Sequence, residues 1–151
     1  RVRIGRKKML LKDVLNNISS RTKLLIELKR SNRNKELVAQ FVAIIGEYNF
    51  TFVAMSFEPR IVQLLKRHPH INSGYIKKKK VTKSNFLNFF INLLPIIKII
   101  KPDFIMHKLI DLPDKKMDKL FKKGMPILSY TVKNQDDLNM IRKIYTNLLK
   151  N

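Results

Sequence analysis

Short apolar runs and helical patterns take turns along most of this chain, and that alternation restricts the fold more than any other feature. "TKLLIELK" (22–29), "FTFVAMSF" (50–57), "INSGYI" (71–76), "DFIMHKL" (103–109) and "PILSYTV" (126–132) are short, apolar and rich in β-branched and aromatic residues, so each is predicted to be a strand. Between and around them the apolar residues recur at helical spacing. "LKDVLNNI" (11–18) precedes the first strand, and "SNRNKELVAQFVAIIGEYN" (31–49), "EPRIVQLLKRH" (58–68), "PDKKMDKLFKKG" (113–124) and "NQDDLNMIRKIYTNLL" (134–149) follow as helices. Ser31 and Asn32 are candidate N-caps, Pro59 suits a first helical turn, and Gly46 and Gly124 stand near helix ends. The long apolar segment from Phe86 to Ile100 reads as helix, broken or kinked near Pro95. Five strands interleaved with helices predict an α/β protein with a parallel sheet and crossover helices. With only 4 glycines, and no glycine-rich loop after the first strand, a dinucleotide-binding fold is disfavoured against a partial TIM-type (β/α) barrel.

Composition limits the partners. The chain has 151 residues and is 44% hydrophobic, enough for one core and so for one domain or part of one, taken here as residues 1–151. Lys plus Arg number 32 against 11 Asp plus Glu, a balance that favours anionic partners such as nucleic acid, anionic lipid surfaces or phosphorylated small molecules. Lysine outnumbers arginine and is joined by many Asn and Ile, a bias that an AT-rich coding sequence also produces. Cysteine is absent, which excludes disulfides and thiolate metal sites. No apolar run reaches the ~18 residues that cross a bilayer, and no signal peptide is visible. A cytoplasmic location, or a peripheral one at a membrane, is the expectation.

A parallel barrel places its chemistry at the C-terminal ends of its strands. The residues expected there are Glu27 and Lys29, Ser56 and Phe57, Gly74 and Tyr75, His107, and Tyr130 with Thr131. Glu27 and Lys29 are two apart and so share a face of their strand. Such a pair can hold a hard cation and the phosphate it polarises, or it can be an ordinary ion pair. His68 and His70 flank a proline in a helix-to-strand turn, on the wrong side of a barrel for catalysis. His107 is at a strand end, where an imidazole can move a proton, although a buried structural role fits it better. Asp111, Asp114 and Asp118 suit a helix N-terminus and its dipole. Lys77 to Lys80 reads as a solvated loop, or as a contact for anionic lipid head groups.

The order of these strand ends resembles the C-terminal part of the glycerophosphodiester phosphodiesterase family. "LLIELK" is similar to the family's hydrophobic-E-I-K strand, "VAMSF" to its S-F strand, "HINSGYI" to the following strand with G-Y, and "ILSYTVKN" to its W-T-V-N strand, over roughly Leu10 to Asn147. The resemblance implies that Glu27 is a carboxylate ligand of a divalent cation, Ca²⁺ or Mg²⁺. It implies that Lys29 contacts the phosphodiester and that Phe57 and Tyr130 wall the substrate pocket. Tyr130 stands where the family usually has Trp, and Lys133 where it has Asn. The family's H-R-G and H-D histidines and its E-x-D metal pair have no counterpart in this sequence. The domain is therefore expected to be incomplete, lacking its N-terminal strands and its final strand.

A complete member would cleave glycerophosphodiesters in phospholipid and glycerol phosphate metabolism, the cation neutralising developing charge and the histidines shuttling protons. This chain is expected to be a truncated or split phosphodiesterase, inactive alone and without catalytic residues of its own. It would be joined by a missing N-terminal segment or would associate through open sheet edges. The alternatives are a basic nucleic-acid-binding protein and a peripheral membrane-binding module. Lysines scattered over every segment, and Phe89, Phe90 and Phe104 lying in apolar runs, count against nucleic acid.

Overall fold

The computed structural model of the chain describes residues 9–77 and 93–150. Helix α1 (Leu11–Asn16) is followed by strand β1 (Leu24–Glu27), α2 (Asn34–Gly46), β2 (Phe52–Ser56), α3 (Pro59–Leu65) and β3 (Ser73–Ile76). Helix α4 (Leu93–Ile100), β4 (Phe104–Lys108), α5 (Lys115–Lys122), β5 (Ile127–Tyr130) and α6 (Gln135–Lys150) complete the order. All strand pairs are parallel, and the sheet order is β1-β2-β3-β4-β5. Each strand thus joins beside its predecessor and in the same direction. Crossovers of one hand repeated in one direction put every helix on the same face of the sheet. No reversal of strand order occurs that would put helices on both faces. The result is a curled half-barrel, convex side under helices and concave side open.

Side-chain alternation along the strands sorts the core accordingly. Leu24 and Ile26 of β1, Leu28 just beyond it and Ala54 of β2 pack on the convex side with Leu15, Phe41, Ile45 and Leu65. Further along, Tyr75, Ile105 and Ile127 meet Val62, Ile97 and Met117. The concave face carries its own cluster, in which Ile76, Phe104 and Met106 are buried and Val53, Met55, Phe57 and Tyr130 partly so. At the two edges of that face, Leu25 and Leu128 remain 49% and 44% exposed, because β1 and β5 each have a neighbour on one side only among the described strands.

Every strand and helix predicted within the described residues forms, with two local differences. Helix α2 is capped by neither Ser31 nor Asn32. Its N-cap is Arg33, which offers no side-chain acceptor. Ser31 Oγ accepts instead from the Arg33 N–H at 3.1 Å, and the Ser31 N–H donates to Asn34 Oδ1 at 2.9 Å, a local turn that competes with capping. Lys77 is also no solvated loop residue, as its side chain turns inward (below). Pro95 lies in α4, while Lys78–Lys80 and residues 86–92 fall outside the described residues. Gly124 ends α5 as expected, with φ +83° and its N–H donating to the Phe121 carbonyl at 2.8 Å.

At the N-terminal end of the sheet, Asp103 pins β3 to β4. Its carboxylate accepts from the Ser73 N–H at 2.8 Å, the Ser73 hydroxyl at 3.2 Å and Lys66 Nζ at 2.7 Å. His68 and His70 occupy the α3–β3 turn at this same end, with rings 6.0 Å apart. They lie across the sheet from the strand C-termini.

Candidate functional site

Parallel pairing brings the C-terminal ends of all five strands to one rim. Alternation then decides which side chains look into the concave mouth and which turn to the helices. Glu27 lies opposite in sense to Leu24, Ile26 and Leu28, which pack on the helix side, so it faces the mouth. Lys29 Nζ donates to Glu27 Oε1 at 2.6 Å, with the glutamate side chain 25% exposed and the lysine 78% exposed. Phe57 and Tyr130 both belong to the concave apolar cluster. The four residues implied as ligand, phosphate contact and pocket walls therefore share one rim.

Ser56 at the end of β2 and His107, next to last in β4, lie at that rim but turn away from the mouth. Ser56 is buried, donating to the Leu28 carbonyl at 2.7 Å and accepting from the Glu58 N–H at 3.0 Å. It ties the end of β1 to the loop that starts α3. His107 is 1% exposed under the N-terminus of α5. Its Nδ1 is 2.8 Å from the Lys108 carbonyl and its Nε2 is 2.9 Å from Lys77 Nζ. A carbonyl and an ammonium assign opposite roles to the two ring nitrogens, Nδ1 donating and Nε2 accepting. Lys77 Nζ also donates to Asp114 Oδ2, which lies 3.5 Å from His107 Nε2. Asp114 is in turn the N-cap of α5, its Oδ1 accepting from the Lys116 and Met117 N–H groups at 2.8 and 3.3 Å. His107 is thus a satisfied structural histidine.

Burial alone would push the Asp114 carboxyl up; the hydrogen bond and charge of Lys77 and the two backbone N–H groups overcome it and hold the group at about 2. Asp103 is likewise held below the ordinary carboxylate range, its burial outweighed by Lys66 and Ser73. Folded-state pKa values below the unfolded ones stabilise the fold above the unfolded value, and that contribution is lost as pH falls toward the folded one. Stability is therefore expected to be level from neutrality down to about pH 5 and to drop between about pH 4 and 2, by about 1–2 kcal/mol for Asp114. Urea midpoints across that range check this, and Asp114→Asn should flatten the drop. A wild-type midpoint unchanged at low pH would contradict it.

A groove of about 430 Å³ opens beside Tyr130, lined also by Lys108, Thr131, Lys133, Asp137 and Met140. Lys108 is a mouth residue that reading the strand ends passed over. It follows Phe104 and Met106 in alternation and pairs with Tyr130 across the ladder, so the period-2 pattern of "FIMHK" carried the signal. The Tyr130 phenol is raised, first by burial and then by the charges of Asp111 and Glu27. Its hydroxyl oxygen is buried with no hydrogen-bond partner among the described residues.

A hard divalent cation takes about six oxygen ligands. Glu27 offers one carboxylate, engaged by Lys29, and no group of three or more His, Asp or Glu residues that could hold a metal exists among the described residues. The described residues alone do not fit such an ion.

These features define a parallel half-barrel of TIM type with a polar mouth at its C-terminal rim. Its fold is that of part of a glycerophosphodiester phosphodiesterase domain. An Oleispira antarctica phosphodiesterase in complex with the product sn-glycerol-3-phosphate superposes with TM-score 0.70 at 12% identity, over 93% of this chain and 61% of that one. The glycerophosphodiester phosphodiesterase of Thermotoga maritima gives 0.63 at 18% identity, over 90% and 57%. That of Parabacteroides distasonis gives 0.58 at 16%, over 81% and 50%. The chain thus spans between half and two thirds of these structures. No family model matches the sequence, and no curated protein does. No helix among the described residues is long and apolar enough to cross a membrane.

Proposed function

We propose that this chain is part of a glycerophosphodiester phosphodiesterase and supplies the substrate-contacting side of its mouth. The observation that carries the proposal is the shared rim of Glu27, Lys29, Phe57 and Tyr130, in a fold whose solved counterparts include one holding sn-glycerol-3-phosphate. Lys29 and Lys108 supply positive charge for a phosphodiester, and Phe57 and Tyr130 supply an apolar wall beside it. Glu27 contributes one oxygen toward a Ca²⁺ or Mg²⁺ site that needs ligands beyond the described residues. Among the described residues no histidine faces the mouth to move the proton of the leaving alcohol. The chain is inactive alone, and further strands paired to β1 and β5 would complete the mouth. The cellular role that follows is turnover of phospholipid head-group diesters.

The test is release of glycerol phosphate from glycerophosphocholine with added Ca²⁺ or Mg²⁺. The chain alone should show no hydrolysis, since proton transfer is typically worth ~10²–10⁴ in rate. The chain joined to the N-terminal segment of a phosphodiesterase barrel should turn over, and Glu27→Ala in the joined form should abolish it. In the chain alone, Lys29→Ala should weaken sn-glycerol-3-phosphate binding about tenfold or more, the value of one charge-assisted hydrogen bond. Hydrolysis by the chain alone, or full activity of the joined Glu27→Ala form, would overturn the proposal.

A further inference from the structure

In a chain whose positive charge is carried mainly by lysine, arginines that gather say more than the total of +21. The described residues hold Arg21, Arg30, Arg33, Arg60, Arg67 and Arg142. Arg33, Arg60 and Arg67 line one groove of about 490 Å³ between the start of α2 and α3, and Arg30 and Arg60 line a recess of about 450 Å³ that shares Asn32, Asn34 and Arg60 with it. The groove runs from the first turn of α2, where Lys35 adds a fifth cation, along the face of α3 that carries Gln63 and Leu64. Among the described residues that line them, two carboxylates oppose these five cations, Glu36 and Glu58. Arg33 pairs with Glu36 at 3.2 Å, and Arg30 reaches Glu58 only at 3.8 Å. Arg60, in the first turn of α3, and Arg67, just past its end, line the same groove and have no ion pair among the described residues.

The end of the groove is an uncapped helix. The 13-residue α2 begins after Arg33, which contributes no side-chain acceptor. Ser31 Oγ and Asn34 Oδ1 are spent on the turn before it. The first intrahelical bond is Leu37 N–H to the Arg33 carbonyl, which leaves the preceding N–H groups facing outward at the positive end of the helix dipole. Guanidinium forks and outward N–H groups around one concavity suit phosphate oxygens, which accept from both.

We infer that this groove is a binding site for a phosphate-bearing anion, separate from the mouth and independent of its function. The ligand is either a soluble compound carrying phosphate or the phosphate of a lipid head group. Inorganic pyrophosphate, titrated into the full chain and followed by backbone-amide and arginine side-chain NMR, should shift Lys35, Glu36, Arg60 and Arg67. Arg60→Gln/Arg67→Gln should weaken it at least tenfold and Arg60→Lys/Arg67→Lys several-fold. Lys119→Gln/Lys122→Gln on α5, an equal change in charge elsewhere, should weaken it less than twofold. The same spectra report whether each variant is folded. Equal weakening by both double glutamine variants would reduce the effect to net charge and overturn the inference, as would shifts centred on the mouth. Cosedimentation with phosphatidylcholine vesicles containing phosphatidic acid separates the sources. Vesicle binding lost in Arg60→Gln/Arg67→Gln and displaced by pyrophosphate assigns the lipid; pyrophosphate binding without it assigns the soluble compound.

Discussion

Gly74→Ala is expected to destabilise the chain by about 2–3 kcal/mol, at the upper end of what overpacking a core costs. Gly74 pairs directly with Phe104 across the β3–β4 ladder, and the Phe104 ring lies over the space a side chain would need. A Cβ at position 74 would sit 2.2 Å from Phe104 Cε2 and 2.3 Å from Cζ. A phenyl ring is stiff, and Phe104 is itself 5% exposed between Ile76 and Met106, so it cannot yield by a small rotation. The expected readout is a melting point lower by about 5–10 °C, with much of the loss recovered when Phe104→Leu is added. A near-neutral Gly74→Ala would mean that the ring swings out over the open concave face, and that the face is less tightly packed than its burial indicates.

The same pair shows what sequence could and could not reveal. The strand "INSGYI" was legible because apolar residues and turn residues bound it, but the reason for its glycine is an aromatic ring thirty residues away. No local pattern carries that. The fold class was legible throughout, since each element's period agrees with its place and the single direction of alternation leaves few topologies. The mouth was partly legible. Glu27 and Lys29 were placed at the rim by spacing and resemblance, and His107 was read as a buried structural residue, as it is, whereas its neighbour Lys108 was passed over. In a strand one residue decides the face. His107 looks catalytic by type and strand-end position, yet it turns to the helices and is held by Lys77 and Lys108. Lys77 was misread for a related reason: a run of four lysines suggests solvent, while the first of them follows Ile76 directly and inherits the next position of the β3 alternation.

Asp114→Ala carries the other large expected effect, because one carboxylate performs two tasks there. It caps α5 through the Lys116 and Met117 N–H groups, a contribution of about 1 kcal/mol. It also neutralises Lys77, whose side chain is only 22% exposed. Without it the ammonium keeps His107 Nε2 as its one remaining partner in this cluster, and an uncompensated, largely buried charge costs more than the pair was worth. The expected loss is about 2–4 kcal/mol in a urea titration. Removing the charge as well, in Lys77→Met/Asp114→Ala, should recover at least about 1 kcal/mol relative to the sum of the single variants. Strict additivity would show that Lys77 escapes to solvent once Asp114 is gone. The consequence reaches the mouth, because the cluster fixes His107, and His107 Nδ1 holds the carbonyl of Lys108 at 2.8 Å. That bond sets the last residue of β4, the lysine beside Tyr130 in the groove. Amide exchange in Asp114→Ala should therefore quicken at the C-terminal end of β4 and in the facing end of β5, and stay unchanged at β1, where the Ser56–Leu28 bond holds the rim by other means.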